Sequence, residues 1–240
     1  CEMEAIMDIA GRAGVPVVED CCLALGSTYK GNRCGTLGVA SYWSFQWNKP
    51  FTTGLGGLAT TDDADLAAKI EQVAIESTPP STKAAAMLAA QRLIYRLFIY
   101  PRTTAFATNL FRWLTKKGAV VGSSSTAEFS PEMPEGFLTR MSDGQARAGL
   151  RQLKKVEKNI AHRRSLRPVY DRLLREAGWE VPELPESTDP VLVRYPVRVA
   201  DKQRAIAEAP GAAVELGTWF ECPLHPAETP MQLYGYEPGQ

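Results

Sequence analysis

The sequence predicts an α/β protein: a larger domain on a mixed or parallel sheet, then a smaller α+β domain. Three observations carry that expectation. Helical periodicity over residues 2–13 runs directly into the β-branched segment "VPVVED", which ends in acids. Two more short strand patterns, "ASYWSFQ" and "GLATT", precede an acid-capped helix. Towards the other end, a long helical stretch, a strand-like run and a short helix give an αβα close.

Met3, Ile6, Met7 and Ile9 fall at helical spacing, and Gly14 closes that helix. "VPVVED" follows as a short buried strand. In open α/β sheets ligands lie beyond the carboxyl ends of the strands, which is where Glu19 and Asp20 stand. "ASYWSFQ" and "GLATT" are the next strands. "DDADLAAKIEQVAIES" is a helix capped by aspartate, with acids in its first turn. "TPPSTK" reads as a linker. Residues 84–117 are apolar and basic, and Arg92, Arg96, Arg102 and Pro101 interrupt them, so two helices flanking Pro101 fit better than a membrane span. "GSSSTAEFSPEMPEG" is loop. Residues 142–177 form one long helix or a pair, capped by Ser142 or Asp143; "VLVRYPVRVAD" is a strand and "KQRAIAEA" a helix. The expected divisions are 1–80 for the large α/β domain, 81–139 for a helical insertion and loop, and 140–240 for the smaller domain.

The 240 residues can bury a core. Lys+Arg and Asp+Glu balance at 27 each, so no global field favours a nucleic-acid partner. The five cysteines show no metal-ligand spacing and no disulfide framework, and the expectation is reduced thiols in the cytoplasm. The chain opens on Cys1 already inside a helical pattern and stops at "YGYEPGQ", which predicts an internal piece of a longer chain.

The stretch "SYWSFQWNKPFTTGLGGLATTDD" carries the chemistry. Its one basic residue, Lys49, sits among Trp43, Phe45, Trp47 and Phe51. Desolvation there disfavours the ammonium and lowers the lysine's pKa, and a neutral amine condenses with an aldehyde. The glycines that follow let the backbone pass close to a ligand. Asp20, at the end of the preceding strand, is placed to pair with a pyridinium nitrogen. A lysine and an aspartate in these roles are what a pyridoxal phosphate enzyme needs. On spacing alone, a surface lysine beside a turn and a capping aspartate remain the competing reading.

The segments "VPVVEDCCLALGSTYKGNRCGTLGVASYWSFQWNKPFTTGLGGLATTDDADLAAKI" and "TRMSDGQARAGLRQLKKVEKNIAHRR" resemble, in order, the DegT/StrS-type sugar aminotransferases, which are fold type I pyridoxal phosphate enzymes. The resemblance implies pyridoxal 5'-phosphate as cofactor, Asp20 as the partner of its ring nitrogen, Ser44 as a phosphate contact and Lys49 as the imine lysine. It further implies a nucleotide-linked keto sugar as substrate in polysaccharide or glycoconjugate synthesis, an amino-acid donor and a homodimer. The segment that cradles the cofactor phosphate in such enzymes would lie before residue 1.

Three departures put leucine where the family pattern has a polar group: Leu23, Leu55 and Leu138. They open an alternative, a weakly catalytic pyridoxal phosphate-binding protein with a regulatory or assembly role. Retained Lys49 argues against the family's dehydratase branch. Gln46 and Asn48 read as loop filler, and Trp43 and Trp47 as packing. His162, with Arg163, Arg164 and Arg167, reads as a solvated basic face. His225 lies near Cys222, but two ligands do not make a metal site, and the family pattern makes His225 a substrate contact. Residues 84–117 mix apolar and basic groups, which suits either a peripheral membrane contact or burial on more than one side; their wide distribution favours burial.

Overall fold

Helix α1 covers Met3–Ala13 in the computed structural model, which describes residues 1–98 and 137–209 and positions 103, 107, 110, 113, 114, 133, 214, 216, 217 and 235. Gly14 ends the helix at φ 65°, and its N–H reaches the Ala10 and Gly11 carbonyls, the left-handed termination that glycine takes without a Cβ penalty. The chain then enters β1 (Val18–Asp20). β2 (Thr28–Tyr29) and β3 (Asn32–Arg33) form a hairpin whose two turn residues, Lys30 and Gly31, have φ of 47° and 81°. Such primed turns match the twist of the flanking strands. β4 (Ala40–Ser44) and β5 (Gly57–Thr60) follow.

β4 is the centre of a three-stranded mixed sheet in the order β1-β4-β5. It runs parallel to β1, with Asp20 opposite Tyr42, and antiparallel to β5, with Ser44 opposite Gly57. Asp20 and Ser44 therefore both close strands at the same end of the sheet. A second, antiparallel sheet has β2 between β3 and β6 (Thr188–Asp189). Neither the hairpin nor β6 is anticipated in the sequence reading.

Helix α2 (Ala64–Glu76) begins as expected at Asp63, whose carboxylate accepts the Leu66 N–H at 2.9 Å. Helix α3 spans Thr82–Phe98. The expected stretch 142–177 is a pair: α4 (Asp143–Leu153) and α5 (Val156–Glu176). Ser142 and Gln145 start α4 with a reciprocal capping box. Helix α6 (Lys202–Glu208) is capped by Asp201.

Two expectations change. "VLVRYPVRVAD" forms no strand among the described residues; Pro190 and Pro196 bring no N–H to a ladder, and the pairing falls to Thr188 and Asp189 instead. β1 is not buried throughout. Strand alternation turns Val18 outward, 55% exposed, and turns Glu19 inward. The buried carboxylate accepts backbone N–H groups from Gly35, Leu37 and Gly38 at 2.7–2.8 Å and so holds that turn.

The chain divides into two compact units, Cys1–Ala85 with Arg140–Arg198, and Ala86–Thr139 with Val199–Gln240. Residues 140–198 thus pack with the sheet-bearing part of the chain. Cys21, Tyr29, Trp47, Phe51, Ile160 and Val191 are the buried apolar residues of the first unit. Leu88 and Gln91 of α3 are buried in the second, while Leu93, Ile94, Tyr95 and Leu97 stay exposed. Most of residues 99–136, including the expected second helix after Pro101, and residues 218–234 with Cys222 and His225, lie outside the described residues.

Candidate active site

Lys49 lies in the connection between β4 and β5, a run of turns with no extended element of its own. The ends are tied. The Phe45 N–H donates to Gly56 at 2.9 Å, and the Phe45 carbonyl accepts from the Thr53 N–H and the Thr52 hydroxyl, both at 3.0 Å. Gly54 and Gly56 take φ of 91° and 109°, which explains the glycines after the lysine. Phe51 and Thr53 turn inward, and Phe45 and Phe51 pack with ring centroids 4.7 Å apart. The loop reaches α4 at Gly149, where a Cβ would stand 3.3 Å from Thr53 Cγ2 and 3.5 Å from Phe51 Cζ.

Lys49 and Ser44 line one depression with Cys21, Cys22, Leu23, Leu25, Trp43, Phe45, Pro50 and Phe51. Its enclosed part is about 10 Å³, room for one water, and the remainder is open. Burial lowers the Lys49 amine below the ordinary lysine range, assisted by the Arg194 charge and opposed by Cys22 and Asp20.

Asp20 does not line the depression, but it interacts electrostatically with Lys49. Partial burial pushes its carboxyl up. Hydrogen bonds from Cys22 and Tyr42, with the Lys49 charge, outweigh that and hold it below the ordinary aspartate range. The Cys22 N–H donates to Asp20 Oδ1 at 2.9 Å. Burial pushes the Cys21 and Cys22 thiols up, to about 12 and about 11, so both stay protonated at neutral pH and do not compete with the amine as nucleophiles.

Of the three unusual leucines, Leu23 alone lines the depression. Leu138 is exposed, and Leu55 contributes its carbonyl to the loop's own bonding, accepting from the Thr53 hydroxyl at 2.6 Å. His162 is exposed as expected. Arg163 is not part of a solvated face: it is half-buried and donates to the Leu192 and Val193 carbonyls at 3.2 and 3.1 Å. Trp43 lines the depression, and Trp47 is buried. Sequence reasoning passed over Gly149 and three amides, Gln145 and Gln152 of α4 and Asn159 of α5. Their signal was a glycine and three amides at regular spacing.

The family model for the DegT/DnrJ/EryC1/StrS aminotransferases matches residues 1–240. The chain belongs to that family. Among curated relatives, GDP-perosamine synthase of Caulobacter vibrioides is 29% identical over 203 residues, covering 84% of this chain and 42% of the relative. The L-glutamine:2-deoxy-scyllo-inosose aminotransferase of Streptomyces lividus is 27% identical over 231 residues, covering 96% and 46%. Among solved structures, the Helicobacter pylori aminotransferase involved in pseudoaminic acid biosynthesis superposes with a TM-score of 0.64 at 20% identity, covering 99% of this chain and 54% of that one. The chain spans under half the length of those two curated relatives, and its fold is that of the fold type I pyridoxal phosphate enzymes.

Pyridoxal phosphate is the family's cofactor. The donor set here fits it: a carboxylate held ionised, a lysine amine that burial disfavours from carrying its proton, and a serine hydroxyl at the same end of the sheet.

Proposed function

We propose that the protein acts as a pyridoxal phosphate-dependent aminotransferase on a nucleotide-linked keto sugar, with an amino acid such as glutamine as donor. The observation that supports it most is that Asp20, the last residue of β1, and Lys49, in the loop that follows β4, lie near enough for each charge to act on the other. The substrate class rests on relatives named for a GDP-linked sugar and for glutamine-dependent amination of a cyclic ketone.

When bound, the cofactor supplies an electron-withdrawing pyridinium ring. Asp20 would face the ring nitrogen and keep its positive charge balanced. Lys49 would hold the cofactor covalently through Nζ and then, as a free amine, carry a proton to and from the reacting carbon. Ser44 would donate its hydroxyl to the phosphate. Cys22 and Tyr42, by bonding Asp20, keep its carboxylate ionised throughout. The regulatory alternative loses its main support, since the three leucines do not ring one pocket.

The test is covalent labelling. The full protein is incubated with pyridoxal phosphate, reduced with borohydride, and mapped by peptide mass. Label on Lys49, absent from Lys49→Ala, is the expected result; label on another lysine overturns the assignment. With a keto-sugar nucleotide and glutamine, Lys49→Ala should lower turnover about 10³-fold or more. Asp20→Asn should lower it roughly ten- to hundredfold, the scale of one charged hydrogen bond.

A further inference from the structure

The loop that follows Lys49 is held from outside. Asn159 Nδ2 donates to the Pro50 carbonyl at 3.0 Å. Gln152 takes both backbone polar groups of Thr52, accepting its N–H at 3.3 Å and donating to its carbonyl. Gln145 Nε2 donates to the Leu55 carbonyl at 2.9 Å. Gln145 and Gln152 stand about two helical turns apart on α4, and Asn159, beyond the short break that precedes α5, reaches the same loop.

All three side chains are amides, which carry donor and acceptor together. Each can donate to the loop and still accept elsewhere. Gln145 Oε1 accepts the Ser142 N–H at 3.0 Å, and Asn159 Oδ1 accepts Arg163 Nε at 2.9 Å. Arg163 then reaches the Leu192 and Val193 carbonyls, immediately before Arg194, whose charge acts on Lys49. One hydrogen-bonded network thus runs from the loop after Lys49 through Asn159 and Arg163 to the segment that carries Arg194. Apolar packing of Phe51 and Thr53 on Gly149 brings the loop to the helix; the amides set which carbonyl faces which turn.

We propose that Gln152 and Asn159 are positioning residues for Lys49, fixing Pro50 and Thr52 so that the lysine amine is kept beside Asp20 at the strand ends. The proposal rests on the reading of Lys49 as the cofactor-holding lysine.

Asn159→Asp and Gln152→Glu test it, because each keeps its shape and its acceptor oxygen but loses the N–H that faces the loop. Asp at 159 also keeps a partner in Arg163. The full protein and both variants are labelled with pyridoxal phosphate and borohydride across pH, and amide hydrogen exchange is followed in residues 50–55. Both variants should retain a cooperative melt. Lys49 labelling at neutral pH should fall roughly tenfold and its pH profile should move to the alkaline side, a shift that the new carboxylate charge also favours, so that faster exchange in residues 50–55 is the sign that the loop has loosened. Unchanged labelling, profile and exchange overturn the proposal. Loss of folding in both variants also overturns it, since the amides would then hold the fold and not the loop. If the parent protein labels at another lysine, the functional reading fails separately; exchange at residues 50–55 then decides whether the amides hold the loop, faster exchange supporting it and unchanged exchange overturning it.

Discussion

At the scale of single residues, burial and charge act in opposite directions on the two key groups. Lys49 is kept below its ordinary range, so the folded state binds its proton less readily than the unfolded chain does. Stability lost to that amine is lost in full well below the unfolded lysine value and regained as pH rises towards it. Lys49→Met should therefore melt at a higher temperature than the parent at neutral pH, with the advantage shrinking as pH rises; calorimetry at several pH values checks this. Glu19 is a buried carboxylate whose two oxygens serve three N–H groups. Glu19→Gln leaves one acceptor oxygen for that set, and a loss of about 1–3 kcal/mol in denaturant unfolding is the expected cost. Lys49 was legible because an aromatic run and a glycine turn surround it in the sequence itself. Asp20 was legible as the last residue of a strand. Its hydrogen bond with Tyr42 was not, because it depends on the parallel register of β1 and β4, which local periodicity does not encode.

At the scale of elements, caps were the readable signals. Gly14, Asp63 and Ser142 end or begin helices where their chemistry says they should. Two-residue strands were not readable, since a pair of residues has no period, and the proline-flanked run near residue 195 carried strand-like composition without a ladder to join. Gly149 was missed because a glycine inside a helix looks locally like a defect. Its place is explained by the loop lying against it. Gly149→Leu should destabilise by about 1–3 kcal/mol through overpacking on Phe51 and Thr53, whereas Gly149→Ala, gaining about 1 kcal/mol in helix propensity against a mild squeeze, should change stability far less. Urea melts of the two variants separate these outcomes. Helix α3 exposes Leu93, Ile94, Tyr95 and Leu97, yet no described helix is long and apolar enough to cross a membrane. Flotation with anionic liposomes tests the membrane-contact reading of this stretch; the expected result is no binding at low salt, because the apolar residues spread around the helix instead of forming one stripe.

At the scale of the whole molecule, the α/β class followed from the order of elements, but the partnership between distant segments did not. Light scattering on the full protein tests the expected homodimer; a two-fold assembly is the proposal, and an active monomer would contradict it. The long-range partnership has a temporal side. The loop carrying Lys49 is fastened by side chains 90, 100 and 109 residues further along the chain. Contacts of such separation form slowly, and during synthesis at about 5–20 residues per second the lysine leaves the ribosome several seconds before its fasteners exist. Until α4 and α5 arrive, the connection that carries Lys49 lacks these side-chain ties. On the proposed reading of Lys49, the loop that would hold the cofactor is fixed late, when α4 and α5 close on it.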